Sequence, residues 1–113
     1  MDTLSFEPVQ QLVQLLVGAG MSASTNPEDV TMPGAWVTVE GVRAITLTDI
    51  QLECAVYLVV GDQDYARAYT ALADLYNQAA TVLSPDGLVV PQGVVMPGNP
   101  TPLPALRVPV NLI

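Results

Sequence analysis

The chain has 113 residues, half of them hydrophobic and only 12% charged, with a formal net charge of −8. Three arginines (Arg43, Arg67 and Arg107) stand against eleven acidic side chains, which excludes nucleic-acid binding through phosphate neutralisation. The absence of histidine removes the commonest general base and the commonest metal ligand together.

That length suits a single domain, 1–113, with a real core. A typical soluble domain has about 25% charged residues, so this chain is short of side chains with which to cover a small monomer. Burial of some apolar surface against other subunits is therefore expected. The most apolar stretches, LVQLLVGAGM and CAVYLVVG, are about half the roughly 20 residues that span a bilayer, so no membrane is expected. No basic segment leads into an apolar run at the N-terminus, and no signal peptide is expected.

The first element is a helix over about 5–17, with Ser5 as N-cap, Glu7 and Pro8 in the first turn, and Val9, Leu12, Val13 and Leu16 at helical spacing. Gly18 and Gly20 end it. Residues 18–34 read as a flexible loop, longer than most connections in a compact domain. Three strands follow. Val37 and Val39 alternate with polar neighbours until Gly41, and Ile45 and Leu47 repeat the pattern. Ile50, Leu52, Cys54, Val56, Leu58 and Val60 then form one face of a long strand. The opposite face of that strand turns apolar towards its end, which predicts cover on both sides. Short turns between the three favour an antiparallel meander.

DQDYARAYTALADLYNQAATVL gives the second helix, with Tyr65, Tyr69, Leu72, Tyr76, Ala79 and Leu83 as its apolar stripe. Ser84 to Gly87 form a turn. The Pro-rich remainder, about 88–113, predicts two strands at or near a sheet edge, because Pro91, Pro104 and Pro109 cannot donate ladder hydrogen bonds. A PGNPTP loop joins them. The expected fold is α+β, an antiparallel or mixed sheet of about five strands with two main helices on one face, in the order α-β-β-β-α-β-β.

No catalytic set emerges. Triads need a histidine, and Schiff-base chemistry needs a lysine. Asp62 and Asp64 after a strand resemble half a metal site, yet Asp49 and Glu53 lie at no recognised spacing from them. The pair is better explained as a helix start, with Asp62 as N-cap and Asp64 in the first turn, where the helix dipole favours negative charge. No catalytic residue, cofactor or metal is assigned, and Cys54 is expected to be a buried, inert thiol. Trp36 begins a strand and is expected to anchor the core or a subunit contact.

FEPVQQLVQLL, PGAWVTVEGV, DIQLECAVYLVV, GDQDYARAYTALADLYNQAATVL and the Pro-rich tail VVPQGVVMPGNPTPLPALRVPVNLI together resemble the tail terminator proteins of long-tailed (siphovirus-type) bacteriophages. The likeness spans nearly the whole chain and lies in the plan rather than in any signature motif. It implies a homohexameric ring that caps the tail tube, halts its growth and offers the head and neck connector proteins an attachment surface. Genomic DNA would pass through without specific binding, and the protein would reside in the tail-neck region of the virion after assembly in the host cytoplasm. Trp36, Pro97, Gly98, Asn99, Pro100 and Arg107 are the candidate contacts with sister subunits or neighbouring proteins. Another neck or head-completion subunit is the alternative within the same class. A small acidic binding module or metal-dependent enzyme is the alternative outside it.

Overall fold

The computed structural model describes residues 4–44, 50–61 and 64–112, apart from the side chain of Tyr65. Helix α1 spans Glu7–Gly18 and buries Val9, Leu12 and Leu16. Ser5 is one residue too early to be its N-cap: Phe6 occupies that position, and the Ser5 hydroxyl instead accepts from the Glu7 N–H at 3.2 Å. Gly20 has φ 98°, and the Met21 N–H reaches back to the Leu16 carbonyl, so the helix closes in a Schellman turn that needs a left-handed residue.

The segment 18–34 is not a structureless loop. It contains a short strand, β1 (Ser22–Ser24), and a 3-10 turn over Pro27–Asp29. β1 runs parallel to the next strand, β2 (Gly34–Ala44), and parallel neighbours require the chain to cross over a sheet face before returning. Residues 25–33 make that crossing, which explains their number. The Thr31 N–H donates to Ser22 Oγ at 3.0 Å and ties the crossing back to β1, while Asn26 Oδ1 accepts from the Glu28 N–H at 3.1 Å and caps the 3-10 turn.

β2 continues straight through Gly41, where the sequence pattern had suggested a break, and the proposed separate strand around Ile45 and Leu47 lies outside the described residues. What happens near Gly41 is a β-bulge. Val39 pairs with Cys54 and Gly41 with Glu53, leaving Glu40 as the extra residue. The bulge exchanges the two faces, so Ala35 and Val37 point to the helices before it and Val42 does so after it.

β3 (Ile50–Val59) pairs with β2 and, on its other side, with β5 (Leu103–Leu112); β4 (Val90–Val94) is the far edge. The sheet is therefore mixed, in the order β1-β2-β3-β5-β4. Of the two Pro-rich strands β4 is the edge and β5 lies next to it, inside the sheet, so both are at or near the edge as expected. The prolines fit because N and C=O of one residue in a strand point to the same side. The Pro109 carbonyl accepts from the Asp86 N–H at 2.8 Å, so its missing N–H faces the 84–87 turn and not the β3 ladder. Pro104 stands at the strand start, and Pro91 faces outward from the sheet edge because it pairs with Leu106, whose polar groups serve β3.

Helix α2 spans Tyr65–Ala79, and both helices pack on the same sheet face. Ala68, Leu72, Leu75 and Ala79 are its buried stripe, and Leu83, beyond its end, is buried with them. The tyrosine-based stripe is thus rotated: Tyr69 is 54% exposed and Tyr76 is half-buried. Small alanines let the helix approach the sheet closely, which rings at those positions would prevent. Gln78 Nε2 donates to the Ala19 carbonyl at 2.6 Å and ties the end of α1 to α2. The opposite sheet face carries a second, smaller core of Val30, Val59, Val94, Met96, Leu103 and Ala105, so the apolar end of β3 is covered on both sides as its pattern predicted.

Candidate functional site

The bulge at Glu40 aims its carboxylate across the sheet face opposite the helices, where it pairs with the Arg107 guanidinium. Arg107 is directly opposite Tyr57 on β3, and Tyr57 is directly opposite Trp36 on β2. The two rings stack with centroids 5.2 Å apart and planes inclined by 26°. Trp36 Nε1 donates to the Thr25 carbonyl at 3.1 Å, so the ring's polar edge is satisfied by the crossing segment. The result is a row, Trp36–Tyr57–Arg107–Glu40, in which Trp36, Tyr57 and Arg107 are half-buried and Glu40 is exposed. The hydrogen bond to Glu40, ahead of all other influences, raises the affinity of Arg107 for its proton. Arg107 is thus a fixed cation.

Of the six candidate contact residues, the structure places Trp36 and Arg107 in this row. Pro97, Gly98, Asn99 and Pro100 are all exposed on the connection between β4 and β5, where Gly98 has φ 84° and the Asn99 N–H closes a turn on the Met96 carbonyl at 3.1 Å. Met96, just before the turn, plugs the second core beside Trp36. The loop therefore rises from the same sheet face as the row. Tyr57 and Glu40 were not singled out in the sequence. Glu40-Gly41 inside a strand is the signal for a bulge, since glycine in a strand often marks one.

The aspartate pair needs one correction. Asp64, not Asp62, is the N-cap: its Oδ1 accepts from the Arg67 N–H at 2.9 Å, and the helix begins at Tyr65. Asp62 lies outside the described residues. Among the described residues, no three carboxylate or thiol side chains gather as a metal site. Cys54 is buried between the sheet and the helices, and burial, with a smaller push from Glu40, raises its thiol pKa above the ordinary value.

Among the described residues, clefts border the helices in two places. One, of about 600 Å³, lies between the start of α2 and the β4–β5 edge and includes Tyr69, Leu72, Pro91 and Pro104. The other, of about 360 Å³, lies between α1 and the turn after α2; Leu12, Leu15, Val82, Leu83 and Leu112 form its apolar wall and Asp86 stands in its lining. All three arginines are already matched with carboxylates: Arg43 with Glu53 at 2.8 Å, Arg67 with Asp64 at 3.6 Å, and Arg107 with Glu40. No helix among the described residues is long and apolar enough to cross a membrane.

Comparison with known proteins found no matching family model, no matching curated protein and no matching solved structure.

Proposed function

We propose that this chain is a ring-forming structural protein of a phage virion, of the tail-terminator kind, that caps the tail tube and presents the head and neck connector with an attachment surface. The observation that carries the reading is the exposed apolar surface on a chain with little charge to replace it. Phe6, Leu15, Val17, Val42, Leu88 and Val95 are all at least half or nearly half exposed, and Leu88 reaches 79%. Such surface is costly in a free monomer and useful at subunit contacts. The acid surplus adds to it. With three arginines, each beside a carboxylate, against eleven acidic side chains, the chain offers little positive charge to hold a phosphate, which suits a wall past which DNA slides.

The Trp36–Tyr57–Arg107 row and the adjoining Pro97–Pro100 loop are the surface we assign to neighbouring proteins. Aromatic and arginine side chains are favoured at the centres of interfaces. The test is assembly. Native mass spectrometry should give a hexamer, and particles lacking the protein should carry tail tubes of uncontrolled length. A stable monomer at micromolar concentration, or tubes of normal length in its absence, would sink the reading. Normal tubes with unjoined heads would instead place the protein in the neck or in head completion. Deletion of residues 98–102 should impair head joining while leaving ring formation intact.

A further inference from the structure

β5 runs on past its edge neighbour. β4 pairs with it only over Leu103–Arg107, which leaves the Pro109 carbonyl and the Asn111 N–H on that side with no strand to serve them. Asp86 serves both. Its N–H donates to the Pro109 carbonyl at 2.8 Å, and its Oδ2 accepts from the Asn111 N–H at 3.0 Å. One residue of the turn after α2 thus stands in for a missing strand, a task that needs a short side chain with an acceptor oxygen.

The next residue is constrained as well. Gly87 has φ 146°, where side chains are rarely found, and a Cβ there would lie 3.3 Å from Pro109 Cγ. The fold therefore places aspartate directly before glycine, and no other aspartate or asparagine in the chain precedes a glycine. Glycine has no side chain to screen its amide nitrogen from the carboxyl carbon of the residue before it. Both residues are exposed, and among the described residues no acceptor takes the Gly87 N–H, so the nitrogen is free to approach that carbon. The Asn111 N–H on Oδ2 favours negative charge on that oxygen and so makes Cγ the better electrophile.

We infer that Asp86 is a site of spontaneous backbone isomerisation. The Gly87 nitrogen bonds to Cγ of the protonated Asp86 carboxyl, the Cγ–OH bond breaks, and the hydroxyl leaves with the amide proton as water. The resulting five-membered succinimide then takes up water. Opening at the side-chain carbonyl restores aspartate, whereas opening at the backbone carbonyl leaves isoaspartate, whose main chain runs through the former side chain. Nothing is oxidised or reduced. The main chain is one atom longer there and carries its carboxylate on Cα, so the N–H and carboxylate no longer match the spacing of Pro109 and Asn111. The side of β5 beyond β4 then loses its cover. This inference goes beyond the assembly reading and does not depend on it.

Ageing the purified protein tests it. The folded chain is incubated for weeks at physiological temperature and pH, and isoaspartate is labelled with an isoaspartyl methyltransferase and methyl-labelled S-adenosylmethionine. Peptide mapping then locates the label. The expected result is label that rises with time at residue 86 and stays low at the other aspartates. Asp86→Glu, which would need a six-membered ring, should lose it. Asp86→Asn, from which ammonia leaves in place of water, should gain it faster; this variant keeps both hydrogen bonds, so the test does not hang on how the fold tolerates glutamate. Aged parent protein should melt below fresh protein, and aged Asp86→Glu should not change. A free peptide of residues 82–90 that acquires the label while the folded protein does not would show that the turn protects Asp86, and overturns the inference. Label spread evenly over the aspartates overturns it too. Isoaspartate at residue 86 with an unchanged melting curve upholds the site and overturns its effect on β5.

Discussion

At the scale of single residues, Asp64 shows how one side chain holds local structure. Asp64 accepts the third N–H of α2, so Asp64→Ala should cost about 1 kcal/mol in thermal melts while Asp64→Asn stays near the parent. Cys54 has a definite pH signature. Burial raises its folded pKa above the ordinary value of 9.0, so its contribution to stability is complete below that value. As pH rises past it, the unfolded chain releases the proton first and stability falls. The alkaline limb of the stability curve should therefore be shallower in Cys54→Ala than in the parent, and equal limbs would refute the assignment. Gly34 is a different case: a Cβ there would lie 2.5 Å from the Thr31 carbonyl oxygen and 2.9 Å from that of Ser22. Backbone must move to admit it, and Gly34→Ala should destabilise by about 1–3 kcal/mol in a denaturant titration.

At the scale of elements, the second core depends on segments that look like linkers. Val30 comes from the crossing between β1 and β2, and Met96 from the chain leaving β4. Met96 is 1% exposed, so Met96→Ala should cost about 2–5 kcal/mol, as for a core residue and unlike a loop residue. Fluorescence of Trp36, which borders that core, should shift to the red in the same variant as water enters. The pattern of alternation made β3 legible because Leu52, Cys54, Val56 and Leu58 on its helix side are all buried. It failed for β2 at Gly41, where a bulge keeps the strand going but exchanges its faces. It failed for β1 as well, since three small residues, Ser22, Ala23 and Ser24, are too short a run to read as a strand. The tyrosine stripe of α2 was misplaced for a packing reason. Hydrophobicity ranks tyrosine above alanine, but close approach to a sheet selects the smaller side chain.

At the scale of the whole molecule, charge and shape set the conditions for association. Copies that each carry −8 repel one another, and salt screens that repulsion over a Debye length of ~8 Å at 0.15 M. Assembly should therefore strengthen from low to physiological ionic strength, as read by sedimentation, and weakening with salt would contradict this electrostatic account. The molecule is elongated, 49 × 26 × 24 Å. Elongation spreads apolar side chains over several faces, which favours contacts with more than one neighbour.

Composition and periodicity alone determined that the chain is α+β, that two helices lie on one face of a mixed or antiparallel sheet, and that no histidine-based or lysine-based chemistry is available. Those properties follow from residue type and spacing, which are local. Only the tertiary structure decided that β5 lies inside the sheet, that residues 25–33 are a crossing, and that Trp36, Tyr57, Arg107 and Glu40 form one row. Each of these depends on which strand lies beside which, and strand neighbours far apart in the chain leave no periodic trace in it.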